Sequence, residues 1–165
     1  MTIIAYDGRN QIKRVCIDKQ MTIGDRVASC YKHVITDRGE LIAATGSADL
    51  GNARKNWYAT GANPDTFPKP ANDKDSTYLV VFPISGNPIV YCDYPSPVEN
   101  TDAIQAFGSG CEMAIGAMAT GATAAEALES FIPYSSSCGL GYCEFENDGT
   151  GWHKVSEKTC KFIFE

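Results

Sequence analysis

A change of period along the chain constrains the fold more than any other feature. Around a single early helix, the apolar residues up to position 107 fall in short β-branched runs divided by turn sequences. Between Cys111 and Phe131 they fall instead in Ala-, Met- and Leu-rich stretches. The first kind of run suits a pleated strand and the second a helix. Strands are expected at residues 2–7 and 12–19, joined through Asp7-Gly8-Arg9-Asn10. Another pair is expected at 33–36 and 40–45 about Asp37-Arg38-Gly39, with Gly24-Asp25 breaking the segment between the two pairs. A further hairpin, 78–84 with 88–94, flanks Ser85-Gly86-Asn87, and a short strand follows at 103–107. The tail, 141–165, returns to strand, most strongly at 142–146 and 159–164, with Asn147-Asp148-Gly149 as a turn.

Helices have their own signals. After Gly46, either Ser47 or Asp49 is placed to cap a helix that carries Leu50, Ala53 and Trp57 on one face and stops at Gly61. Residues 61–77 hold Pro64, Pro68 and Pro70 among polar residues and are expected to form a long mobile loop. Segments 111–120 and 124–131 read as a helix pair separated by Gly121, with Thr123 and Glu126 at capping-box spacing. The order of strands, helix, strands, helix pair and strands implies an α+β domain of antiparallel sheets with helices outside, rather than a parallel βαβ sheet. A chain of 165 residues is expected to form a single domain, 1–165.

Charge and cysteine usage narrow the function classes. Fourteen basic against twenty acidic residues give a formal charge of −6. A nucleic acid or an anionic membrane surface needs clustered Lys and Arg, so neither is an expected partner. No apolar run is long enough to span a bilayer, and no basic region precedes the short apolar stretch at the start, so export is not expected. Seven cysteines without a repeated spacing point to reduced thiols and a cytoplasmic protein. Cys138, Cys143, His153 and Cys160 lack the close pairs that pre-organise zinc and read as small buried residues.

The chain is poor in conventional catalytic groups. His33 and His153 are its only histidines, and neither sits in a nucleophile or metal motif. Gly108-Ser109-Gly110 lacks the lysine of a phosphate loop. Thr2 stands out chemically. Removal of Met1 before this small residue leaves a threonine whose own α-amine, of pKa about 8, can accept its hydroxyl proton. A nearby cation keeps that amine neutral by disfavouring its protonated form, and a carboxylate orients the cation.

Four segments then resemble the proteasome-type N-terminal nucleophile hydrolases, a family with short relatives in phages and prophages. The opening Thr2-Ile3-Ile4-Ala5-Tyr6-Asp7-Gly8 resembles the family's mature N-terminus. Asp18, in Cys16-Ile17-Asp18-Lys19, falls where the family has a strand-end aspartate, and Lys32 matches its catalytic lysine once a small gap is allowed. Ala43-Ala44-Thr45-Gly46-Ser47-Ala48-Asp49 is similar to the strand-to-helix turn whose glycine N–H serves the oxyanion hole, which implies that role for Gly46. Phe107-Gly108-Ser109-Gly110 and the Ala-rich stretch after it resemble the family's glycine-serine-glycine helix pair, placing Ser109 beside the amine. Beyond the second helix the family often has an aspartate and a serine supporting the amine, whereas Phe131-Ile132-Pro133-Tyr134-Ser135-Ser136-Ser137 offers serines alone.

The resemblance implies a four-layer αββα sandwich, two antiparallel sheets face to face with helices covering both. It implies a threonine peptidase or amidohydrolase acting on peptide or amide bonds through Thr2, Asp18, Lys32, Gly46 and Ser109. It further implies no metal or organic cofactor, and self-association into a homo-oligomer or ring. The competing reading is a proteasome-like fold without peptidase activity, kept as an assembly or partner-binding module of phage or prophage origin. A small-ligand binding domain is a third reading, for which a closed apolar pocket away from Thr2 is the mark.

Overall fold

The computed structural model describes residues 2–72 and 76–159. In chain order the strands and helices are β1 (Ile3–Asp7), β2 (Lys13–Asp18), β3 (Gln20–Ile23), β4 (Arg26–Ser29), β5 (His33–Ile35), β6 (Leu41–Thr45), α1 (Ala48–Ala59), β7 (Tyr78–Phe82), β8 (Ile89–Tyr91), β9 (Val98–Glu99), β10 (Ile104–Gly108), α2 (Cys111–Ala119), α3 (Ala124–Phe131), β11 (Tyr142–Asn147) and β12 (Trp152–Lys158). They divide between two compact units, one made of residues 2–32, 102–148 and 153–159, the other of 33–72, 76–101 and 149–152.

The first unit is built on a five-stranded antiparallel sheet in the order β10-β1-β2-β11-β12. β1 lies inside it, between β10 and β2, and its Ile3, Ile4 and Ala5 are all buried. A strand covered on both faces carries a continuous apolar run rather than an alternating one, which is why this segment is so hydrophobic. Ile3, Ala5 and Cys16 on one face pack with Ala114, Met118, Leu128 and Phe131 from α2 and α3. The start of α3 is fixed locally: the Thr123 hydroxyl accepts from Glu126 N–H at 3.2 Å, and the Glu126 carboxylate accepts from Thr123 N–H at 2.8 Å. Such reciprocal caps satisfy two otherwise orphaned donors and contribute about 1 kcal/mol. A separate hairpin of β3 and β4 turns at Gly24, whose φ of +57° suits glycine.

Arg9 ties the end of β1 to the helix pair. Its guanidinium donates to both oxygens of Asp7 at 2.9 and 2.7 Å, and to the carbonyls of Met118 and Ala122 at 2.7 and 2.6 Å. The Arg9 hydrogen bond holds the buried Asp7 carboxyl below the usual carboxylate range, against burial. A carboxyl lowered in the native state stabilises the fold above its unfolded pKa, and that contribution vanishes as pH falls through the native value. Between about pH 5 and pH 2 the wild type is expected to lose up to about 1 kcal/mol more stability than Asp7→Asn. Thermal melts of the two across that range check this, and parallel curves would remove Asp7 as a source of acid sensitivity.

The second unit carries the antiparallel sheet β5-β6-β7-β8-β9. In β6, Leu41, Ile42 and Ala43 are buried and pair with Phe82, Val81 and Val80 of β7. Ser47 caps α1, whose Trp57 meets Phe67 and Tyr91 edge-on at centroid distances of 4.9 and 5.3 Å. Arg54 is fully buried: its guanidinium lies over the Phe67 ring and donates to the carbonyls of Pro68 and Thr77. The segment 61–77 therefore has more local order than its proline content suggests. A 3-10 turn, Pro64–Thr66, is capped by Asn63, and Phe67 is drawn into the core. Residues 73–75 lie outside the described chain.

The structure corrects the expected four-layer αββα sandwich. Among the described residues the chain is mainly β, twelve strands in three antiparallel sheets, with three short helices. Helix length is the physical reason. At 1.5 Å per residue the twelve residues of α1 span about 18 Å, and one helix is about 10 Å wide against about 24 Å for five strands. Such a helix does not make a covering layer for the sheet of its unit. Strand β9 was not expected from the sequence, and neither was the β3–β4 hairpin; β12 lies within the tail expected to return to strand, between the two segments singled out there. The strand expected at 159–164 falls almost wholly outside the described residues, as does Cys160, while Thr159 is not in a strand.

Candidate functional site

Four of the five residues singled out by sequence lie in the first unit, and the central strands of its sheet position them. Thr2 immediately precedes β1, and Asp18 ends the adjacent β2. The antiparallel register of β1 with β2 pairs Ile4 with Ile17, which carries Asp18 to the Thr2 end of β1. On the other side Ile3 pairs with Gly108 of β10, so Ser109 follows directly beside Thr2. Fifteen residues of sequence separate Asp18 from Ile3, and the sheet closes that gap to hydrogen-bond distance.

The geometry centres on the peptide unit between Thr2 and Ile3. Its carbonyl accepts the Ser109 N–H at 2.9 Å, and its N–H donates to Asp18 Oδ1 at 2.9 Å. The same Asp18 oxygen accepts Lys32 Nζ at 2.8 Å. The second oxygen, Oδ2, receives the N–H groups of Gln20 at 3.2 Å and Gly139 at 3.3 Å. Asp18 is fully buried and the Lys32 side chain is 9% exposed, so this is an ion pair largely removed from water. Burial pushes the Asp18 carboxyl above the usual carboxylate range, while the Lys32 ammonium and the N–H groups of Ile3 and Gly139 pull it back.

Glycine is required at position 108. Its φ is +97°, and a Cβ there would stand 1.9 Å from the Thr2 carbonyl oxygen. Gly108→Ala therefore forces the Thr2 peptide out of place, and the left-handed backbone alone costs about 1–2 kcal/mol. The expected result is a destabilised protein, checked by thermal denaturation. A melting temperature equal to that of the wild type would show that the close approach of Gly108 to Thr2 is not needed.

Ser109 has a second contact that sequence reading did not anticipate: its Oγ lies 3.2 Å from the Cys138 Sγ. Cys138 belongs to the turn after α3, where its N–H donates to Ser135 Oγ at 3.1 Å. Gly139, the next residue, is the one whose N–H reaches Asp18. No local signal marks either residue, because their partners are 29 and 121 positions away.

Gly46 lies in the second unit, at the turn from β6 into α1. There it has φ of +90°, and a Cβ would come within 2.1 Å of the Ser76 carbonyl oxygen, so backbone shape by itself demands glycine at this position. Of the other groups weighed in the sequence, Cys138 and Cys143 are buried free thiols. Among the described residues no group of three His, Cys, Asp or Glu is placed to hold a metal ion, and no helix is long and apolar enough to cross a membrane.

No family model matches the sequence, and no curated protein matches it. Among solved structures, Thiobacillus denitrificans BPH is similar with a TM-score of 0.64 and 14% identity, covering 93% of this chain and 98% of that one. At that identity the likeness concerns the fold alone.

Proposed function

We propose that this protein is an N-terminal threonine hydrolase that cleaves peptide or amide bonds once Met1 has been removed. The observation that carries the reading is the Thr2–Ile3 peptide unit, held on one side by the Ser109 N–H and on the other by Asp18, which is itself paired with Lys32. A structural threonine at a strand start has no need of a buried ion pair next to it. A nucleophile that must also be its own base does need one, because its amine has to stay neutral and in place.

In this mechanism the free α-amine of Thr2 takes the hydroxyl proton as Oγ attacks the substrate carbonyl carbon. The tetrahedral intermediate collapses, the C–N bond breaks, and the leaving amine departs with the proton held by the α-amine. Water then hydrolyses the resulting ester, giving up its proton to the same α-amine, and Thr2 is restored. The Lys32 ammonium disfavours a second positive charge on the α-amine, and Asp18 holds that ammonium against its tendency to turn toward water. The residues of the centre perform each of these steps by proton transfer and electrostatics.

Hydrolysis of a panel of peptide amides by the chain freed of Met1, set against the Thr2→Ala variant, tests the proposal. Turnover by the wild type alone is the expected result. Equal release by both, or by neither, contradicts it.

A further inference from the structure

We propose that Cys138 is a positioning residue of the Thr2 centre, its thiol fixing the hydroxyl of Ser109, the residue whose N–H holds the Thr2 carbonyl; this rests on the hydrolase reading above. Ser109 is joined to Thr2 through its backbone, where its N–H reaches the Thr2 carbonyl, but nothing in that contact fixes where its hydroxyl points. The Cys138 thiol does so, at 3.2 Å from Oγ.

The turn that carries Cys138 is itself anchored to the site. Ser135 Oγ accepts the Cys138 N–H at 3.1 Å, Gln20 Nε2 donates to the Ser136 carbonyl at 2.9 Å, and Gly139 N–H meets Asp18 Oδ2 at 3.3 Å. Lys19 N–H reaches the Gly139 carbonyl at 3.2 Å. Two consecutive residues thus support the two sides of the Thr2 peptide: Cys138 acts on Ser109, and Gly139 acts on Asp18. A Cβ at Gly139 would come within 2.9 Å of Gln20 Oε1, so that amide would have to shift. Cys138 is 1% exposed, so its thiol exchanges no partners with bulk water. A buried thiol is a weak donor and a weak acceptor, and a hydroxyl rotor beside it turns to suit whichever role is open. The segment has serines and no carboxylate, so it adds no carboxylate charge near an amine that must stay unprotonated.

The test uses the full chain freed of Met1 and a β-lactone: Thr2 Oγ attacks the lactone carbonyl carbon and becomes acylated, the acyl C–O ring bond breaks, and the released ring oxygen takes the hydroxyl proton by way of the α-amine. Cys138→Ala is expected to slow this labelling about threefold to tenfold, the worth of one neutral hydrogen bond. Cys138→Ser, which restores a donor and acceptor at the same place, is expected to return the rate to near wild type. With a peptide amide substrate the loss in Cys138→Ala falls on kcat and leaves KM unchanged, because the thiol acts on the reacting centre and not on the bound chain. The infrared S–H stretch of Cys138, identified by difference against Cys138→Ala, is expected to shift in Ser109→Ala.

An unshifted band overturns the thiol–hydroxyl pair, and wild-type labelling by Cys138→Ala overturns the positioning role. Slow labelling in both Cys138→Ala and Cys138→Ser overturns it as well, since bulk packing would then be the cause. A wild-type chain that takes no label at all overturns the hydrolase reading and the positioning role together, and the band in Ser109→Ala then reports on the pair alone.

Discussion

Thr2→Ala is expected to lower hydrolysis of a peptide amide by at least about 10³-fold while leaving the melting temperature within a few degrees of wild type, because removal of a nucleophile eliminates the covalent route entirely. The small stability change follows from what the fold takes from this residue. Its backbone supplies the carbonyl that Ser109 holds and adjoins the Ile3 N–H that Asp18 holds, and both survive the substitution. Only the hydroxyl and a methyl group disappear. Thr2→Ser retains the hydroxyl and is expected to keep measurable turnover. Loss of turnover in Thr2→Ala accompanied by unfolding would leave Thr2 as a packing residue. Turnover retained in Thr2→Ala would place the chemistry elsewhere.

The second large effect concerns the Asp18–Lys32 pair. Asp18→Ala withdraws the counter-charge from a lysine that is 9% exposed, together with the acceptor for the Ile3, Gln20 and Gly139 N–H groups. Breaking a buried pair from one side costs about 3–5 kcal/mol, which in a chain of this size is about 10 °C or more in melting temperature. Lys32→Met is expected to be milder, since Asp18 keeps its backbone donors and can take up a proton. The sign of the pH dependence follows from the raised Asp18 pKa, which rises further without the ammonium. A carboxyl raised in the native state favours the fold below its unfolded pKa, and that contribution is lost as pH climbs through the native value. The stability gap between wild type and Lys32→Met should therefore be narrow near about pH 4 and wider near about pH 8. Melts of the three proteins at both pH values test this. A Lys32→Met variant whose deficit is the same at both would show that Asp18 does not change its protonation when Lys32 is gone.

Both effects rest on residues that could be named from the sequence, though for unequal reasons. The capping box at Thr123 and Glu126 and the helices it separates were legible because each signal lies within a few residues of its partner. The run Ile3-Ile4-Ala5 announced a strand by composition alone. Asp18, Lys32 and Ser109 were singled out by resemblance, since an isolated carboxylate, lysine or serine carries no mark of its neighbours. The strand β12 was not among the strongest tail segments because most of its side chains are exposed and its apolar residues are few. The β3–β4 hairpin was hidden in the same way, being four residues long on each side with little buried surface. Cys138 could not be read at all. Its sequence context is three serines and a glycine, and only the return of the chain after α3 brings it to Ser109. The layered sandwich failed for a different reason: it was carried over whole from the resemblance, and helix lengths in this chain do not supply the covering layers.

The central claim is that Thr2, freed of Met1, is a nucleophile, and the mass of the intact protein before and after exposure to a β-lactone tests it most directly. The expected result is a starting mass lacking methionine, a gain of one lactone equivalent, location of the adduct on the peptide beginning at Thr2, and no gain in Thr2→Ala. A chain that has lost Met1 and still takes no adduct, or takes the same adduct in Thr2→Ala, would contradict it.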